Sequence, residues 1–339
     1  MTRRLLIFFG QLGDAVLSLP AARALRDHDP QSPLTVLASD SAAQIYRLAG
    51  FDEVWEADRS GWKHHPLRAA REIPELIWRL RRQRFALSVE LHSFAEMNLL
   101  AWLVGIPRRV AMLRRTRSIP WLITDRPPWD DEAGALLDRY CTVLTPLGIS
   151  VHDRRPRLSA SGEARTQVRA ALGDWNGQPL LGICPGAGHP GRRWPADRFA
   201  ALIAALRSED SSLKALVFAG PEEPQEMIAA LAAVPGTRIF RARGIDELAA
   251  GLESCRLVVS NPTGPSHIAA AVGTRLVSLG EIPAFDPVGH SPDQVRIVRA
   301  MGSISSIPLE AALQSCRAQW RNKAQRDTIS SAATGVKLD

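Results

Sequence analysis

The stretch RLVVSNPTGPSHIAAAVGTRLVSLG, residues 256–280, decides the fold. Two short apolar runs, 257–259 and 276–279, have the length and β-branched content of strands. Between them the alanine-rich segment 266–272 reads as a short helix. Strand, turn, helix and strand in that order make half of a doubly wound parallel sheet. The turn at 260–264 ends at a helix N-terminus, and Pro265 suits the first helical position, where its missing N–H costs nothing. The amides of Gly264, Ser266 and His267 are then expected to be free to point at an anion, helped by the helix dipole. By pattern alone, an ordinary strand-to-helix turn fits equally well.

The same alternation extends in both directions. Towards the N-terminus lie strands at 180–184, 213–218 and 237–240, with helices at 196–207, 224–233 and 245–254. A polar, proline-bearing region at 148–162 separates them from a second series. That series opens with a strand at 3–9, the turn Gly10-Gln11-Leu12-Gly13-Asp14, and a helix from Ala15 to about Arg26 with Pro20 inside it. The turn is not the dinucleotide fingerprint, because the position two beyond Gly10 is leucine. Asp14 falls at the helix start, beyond the carboxyl end of the first strand, where ligands bind in such sheets. Read alone, it is first a helix cap. Strands at 34–38, 53–56 and 85–91 follow, together with an amphipathic basic helix at 66–82.

Composition narrows the function classes. The 339 residues are 45% hydrophobic and 23% charged, with no run of about 18 apolar residues to span a bilayer. The apolar N-terminal run stops at Gly10 with no small-residue cleavage site, so it reads as a strand and not a signal peptide. Cys141, Cys184, Cys255 and Cys316 lie far apart, which favours reduced thiols in the cytoplasm over disulfides or a zinc site. Forty-two basic against 35 acidic residues leave a formal charge of +7. The arginines cluster at 79–84 and 108–117, a surface suited to an anionic partner. No nucleic-acid recognition motif accompanies them.

At several of these places the chain resembles glycosyltransferase family 9, the bacterial lipopolysaccharide heptosyltransferases. The family carries an Asn-Asp-Ser/Thr-Gly-Pro-x-His-x-Ala-Ala-Ala-x-Gly-Thr stretch, which stands here as Asn261-Pro262-Thr263-Gly264-Pro265-Ser266-His267 and onward to Thr274. Pro262 replaces the family's acidic residue, which faces the donor. The opening Gly-x-x-Gly-Asp is matched by Gly10, Gly13 and Asp14, and the family's internal proline by Pro20. The loop 185–195 resembles the family's Pro-Gly-Ala and Lys-x-Trp-Pro, with Arg192 at the lysine position. Glu222 matches a family glutamate on the ribose, whereas Glu90 and His92 depart from an aspartate and a glutamine.

The resemblance implies a GT-B architecture, two Rossmann-like doubly wound parallel-sheet domains facing a cleft. Residues 1–160 would bind the acceptor, with Gly10, Gln11 and Gly13 forming the turn and Asp14 the general base. Residues 161–305 would bind the nucleotide-sugar through Arg192, Glu222, Thr263, Gly264, Ser266 and His267. A helix at 306–320 would pack back on the first domain, before a disordered tail at 321–339. The implied reaction is inverting, metal-independent transfer of heptose from ADP-heptose to the lipopolysaccharide core. It would have no cofactor and would be carried out by a monomer at the cytoplasmic membrane face, with an anionic glycolipid as acceptor and no nucleic acid. Pro262 keeps open a GT-B transferase or epimerase using another nucleotide-sugar, or a non-catalytic anion-binding protein.

Overall fold

The computed structural model describes residues 2–114, 117–129, 134–220, 223–281, 290, 293–300 and 302–321. The first half runs β1 (Arg3–Phe8), α1 (Leu12–His28), β2 (Leu34–Ala38), α2 (Asp40–Leu48), β3 (Glu53–Glu56), α3 (Arg59–His64), α4 (Pro66–Arg82), β4 (Phe85–Glu90), α5 (Ala95–Val104), β5 (Arg108–Ala111) and α6 (Leu136–Thr142). The second runs α7 (Gly162–Leu172), β6 (Leu180–Cys184), α8 (Ala196–Glu209), β7 (Lys214–Phe218), α9 (Gln225–Ala232), β8 (Thr237–Phe240), α10 (Ile245–Ser254), β9 (Leu257–Ser260), α11 (Gly264–Ala271), β10 (Arg275–Glu281), β11 (Val295–Ala300) and α12 (Leu309–Arg321). They form two parallel sheets, ordered β3-β2-β1-β4-β5 and β11-β10-β9-β6-β7-β8.

The strand side chains explain the layering. In β1, Leu6 and Phe8 face a core shared with α1, whereas Leu5 and Ile7 face a second core with Leu76 and Leu80 of α4 and Leu100 and Val104 of α5. Alternate residues thus serve opposite faces, and a strand paired on both sides reads as an unbroken apolar run. The second sheet repeats the device: Leu257 and Val259 turn to one core and Val258 to the other. One core is continuous between the halves, because α1 and α2 pack on α11 and α10. Arg4, almost wholly buried, donates to the carbonyls of Leu25, Asp29 and Ser32 at 2.5–2.6 Å, fixing the end of α1 to the sheet.

Three expectations change. Helix α1 begins at Leu12, not Ala15, so Gly13 and Asp14 lie within its first turn. Among the described residues the final helix packs within the second half and not back on the first: α12 lies on α8 and on β9, β10 and β11. Ala312, Leu313, Cys316 and Trp320 enter the second sheet's core, and Arg256 and Arg275 donate to the carbonyls of Trp320 and Gln319 at 2.5 and 3.1 Å. The helices α3 and α5 were not anticipated at all. The proposed tail from 322 on lies outside the described residues.

Candidate active site

In each sheet the strand order reverses beside the first strand of its half, between β1 and β4 and between β6 and β9. Loops leaving such neighbours part in opposite directions and open a crevice at the carboxyl ends. The crevices hold the turn before α1 and the segment after β4 in one half, and the loops after β6 and β9 in the other.

The first turn is built around Gly10. A Cβ there would stand 2.1 Å from His92 Nε2, so the imidazole needs the missing side chain. Ser93, buried with φ of 56°, makes the bend that aims His92 back at the turn, and its hydroxyl meets Ser118 at 2.8 Å. The Tyr140 hydroxyl lies 3.1 Å from His92 Nε2. Burial, and then the charges of Arg114, Arg59 and Arg117, drive the His92 pKa down to about 4, so the ring is neutral. Glu90 is buried and accepts from the Phe94 N–H and Asn98 Nδ2, both at 3.2 Å. Burial lifts its pKa to about 8.

Asp14 is half-buried and accepts a long hydrogen bond, 3.4 Å, from the Gln11 N–H. Burial outweighs that bond and raises the carboxyl above the ordinary carboxylate range. It therefore caps the helix weakly and holds a proton more strongly than a solvated aspartate. Its charge also adds to the burial that keeps Tyr140 protonated.

In the second half Asn261 joins the two loops. Fully buried, it accepts from the Trp194 N–H at 3.0 Å and donates to the Pro185 carbonyl at 2.7 Å. Trp194 is itself buried and donates to the Ile307 carbonyl at 2.9 Å. Arg193 turns inward onto the Ala187 carbonyl, at 3.0 and 3.2 Å. Arg192 is exposed; its N–H donates to the His189 carbonyl at 2.9 Å, but its side chain has no hydrogen bond or ion pair among the described residues, so the guanidinium is available to an anion. Thr263 precedes α11 as its N-cap.

The amides of α11 differ from expectation. The Ser266 N–H donates to the Thr263 carbonyl at 3.1 Å, and its buried hydroxyl to the same carbonyl at 2.6 Å, so neither is free. The Gly264 N–H has no hydrogen-bond partner among the described residues. Pro262 is half-buried. Glu222 lies outside the described residues, but Glu223 is placed, and it was missed. Its Oε2 is buried without a partner among the described residues, and its carboxylate fits between Gly186 and Gly220, where Cβ atoms would stand 2.1 and 2.7 Å away.

The two halves meet at the helix starts. A Cβ on Gly13 would lie 2.7 Å from His267 Cδ2, and one on Gly264 2.8 Å from Leu12 Cδ2. The first turn of α1, bearing Asp14, is thus pressed against the first turn of α11. Burial, then the His290 charge, pushes the His267 pKa down to about 4.

Residues 73–281 match the family model described as glycosyltransferase family 9 (heptosyltransferase). The chain belongs to glycosyltransferase family 9. It is 26% identical, over 85% of its length and 86% of the relative's, to lipopolysaccharide heptosyltransferase 2 of Escherichia coli. Its fold is shared with a family 9 glycosyltransferase from Veillonella parvula, at a TM-score of 0.82 and 21% identity over 94% of this chain and 97% of that one. It is shared also with the Escherichia coli heptosyltransferase WaaC solved with ADP-2-deoxy-2-fluoro heptose, at a TM-score of 0.74 and 19% identity over 93% and 99%. The architecture is accordingly GT-B, and the chain is a glycosyltransferase.

This family 9 transferase also has a cavity of about 510 Å³ in its first half. It opens at the carboxyl ends of β2 and β3, between Asp40, Asp58, Arg59 and the Arg68, Glu72 and Arg79 side of α4. Arg59 lines it, paired with Glu96 at 2.6 Å and stacked 3.8 Å from the Phe94 ring centre. Among the described residues no group of three or more His, Cys, Asp or Glu side chains could hold a metal ion.

Proposed function

We propose that this glycosyltransferase moves heptose from ADP-heptose to the lipopolysaccharide inner core, with inversion and without a metal ion. The observation that carries the reading is Asp14, a carboxylate of raised basicity on a helix start that abuts α11. The names of its relatives, a lipopolysaccharide heptosyltransferase and an enzyme solved with an ADP-heptose analogue, supply the substrate class.

In this reading an acceptor hydroxyl enters from the first half and gives its proton to Asp14 as its oxygen attacks the anomeric carbon. The bond from that carbon to the diphosphate oxygen breaks on the opposite face, and ADP departs. Arg192, the Gly264 N–H and the positive end of α11 take up the charge that develops on the diphosphate. Thr263 and His267 line the same turn, and the ribose hydroxyls fall to the acidic pair 222–223, with the placed carboxylate of Glu223 favoured. The cavity beside α4 receives the acceptor sugar. The enzyme works as a peripheral protein on the cytoplasmic face of the inner membrane.

An ADP-release assay tests this, with ADP-heptose as donor and inner-core lipopolysaccharide truncated before its heptoses as acceptor. Release that needs both substrates, with ADP protecting against heat and NAD failing to, is the expected result. Preference for a different sugar nucleotide would point to Pro262 as the mark of an altered donor.

A further inference from the structure

Among the described residues, every large hydrophobic side chain that stands exposed lies between Leu67 and Trp121. Leu67 and Trp78 are on α4, Leu99 and Trp102 on α5, and Leu113 and Trp121 on the segment that follows β5. The two helices cover the first sheet, and Leu76, Leu80, Leu100 and Val104 face inward. The exposed residues therefore point away from the sheet. Trp102 and Trp121 meet edge to face with ring centres 5.9 Å apart, although they are 45% and 69% exposed. An apolar display of this kind on a folded domain marks an interaction surface.

Its charge identifies the partner. Residues 76–124 contain nine arginines and two glutamates, a net +7 that equals the formal charge of the whole chain. Of the two, Glu90 is buried and Glu96 is paired with Arg59. On this face Arg82 stacks 4.7 Å from the Trp78 ring centre, Arg81 donates to the Leu103 carbonyl at 2.9 Å, and Arg126 to the Pro120 carbonyl at 3.2 Å. None of the three has a carboxylate partner among the described residues. A second copy of the chain would bring like charge against like charge. Tryptophan and leucine bordered by arginine match the boundary between anionic headgroups and hydrocarbon.

We infer that the outer faces of α4 and α5, with Trp121, form a docking surface for an anionic lipid bilayer. Resting on the reading of the acceptor as a membrane glycolipid, this gives α4 two roles. Arg68, Glu72 and Arg79 line the cavity while Leu67, Trp78 and Arg82 meet the lipid. One helix then holds the cavity mouth at the depth of the sugar headgroup.

Co-sedimentation with vesicles of phosphatidylcholine, with and without 30% phosphatidylglycerol, tests the inference on the full chain. Wild-type protein is expected to bind the anionic vesicles and to leave them as salt rises. The double variant Arg81→Ser/Arg82→Ser should bind about 25-fold more weakly, at roughly fivefold per arginine. The variant Trp102→Ser/Trp121→Ser should lose roughly tenfold. Because these side chains are exposed, thermal melting of both variants should match wild type, which separates lost docking from lost folding. Both should keep turnover on a deacylated, water-soluble acceptor and lose it on the same acceptor in vesicles. Absence of turnover on either acceptor, with vesicle binding intact, would remove the proposed reaction and leave the surface standing. Equal binding to neutral vesicles, or unchanged binding by both variants, would overturn the inference. So would a dimer or an oligonucleotide complex that the tryptophan variant abolishes.

Discussion

The starts of α1 and α11 are the same local structure with opposite chemistry. Each follows the carboxyl end of a central strand at a reversal of strand order. In each, the third helical residue reaches back to the N–H of the N-cap: Asp14 to Gln11 at 3.4 Å and Ser266 to Thr263 at 3.3 Å. One of these residues carries a charge and the other does not. Asp14 sets a carboxylate against the positive end of its own helix. The first turn of α11 has no acidic residue, so its dipole is left for a ligand. In the proposed reaction, a single side chain at equivalent positions would thus separate a proton acceptor from an anion cradle.

The comparison breaks most sharply at Asp14. Asn caps helices about as well as Asp, so Asp14→Asn should cost little stability. If the charge is what matters, kcat should fall roughly 10²–10⁴-fold with ADP affinity retained. Turnover within a few-fold of wild type would make the two turns alike in kind. The raised pKa adds a pH signature. A base must be deprotonated, so the acid limb of kcat/KM should lie above the ordinary aspartate range. In stability the sign is opposite: burial favours the protonated form, so wild type loses stability as pH rises through the folded pKa. The asparagine variant should therefore melt at or above the wild-type temperature at pH 7.

On the cradle side, Arg192→Ala should weaken ADP by about 10–100-fold, the worth of a charge-assisted hydrogen bond. Adenosine, which lacks phosphate, should bind almost as before, and equal losses in calorimetry would remove Arg192 from the diphosphate. Pro262→Asp restores acidity beside the second turn. Turnover with ADP-heptose should rise severalfold, and no gain would mean that this turn serves another donor.

The smallest effect concerns the frame behind the first turn. Glu90, with its pKa near 8, contributes stability that is complete below the unfolded value and lost as pH rises through 8. Between pH 7 and 9 wild type should lose about 1 kcal/mol, and Glu90→Gln should flatten that decline in thermal melts.

The alternating grammar was legible because parallel strands buried on both faces read as apolar runs between periodic helices. The motif turns were legible because their glycines and prolines are tied to backbone shape. Helix α5 was not, since Met97, Leu99, Leu100, Trp102, Leu103 and Val104 give it apolar character on nearly all sides and no period to detect. The face that α12 covers depends on contacts with Arg256 and Arg275, far away in sequence. The role of Asn261 was hidden for the same reason: its partners lie 67 and 76 residues away. Nor does sequence reveal that Ser266 spends its amide and hydroxyl on a single carbonyl.

Gly13 shows what such proximity demands of composition. It occupies the first turn of a helix, where alanine would be the better helix former by roughly 0.5–1 kcal/mol. A methyl group at that position would meet the His267 ring at 2.7 Å. The approach of the two helix starts is thus set by an absent carbon, and any larger residue would act as a shim between the halves. Local helix strength has been traded for clearance.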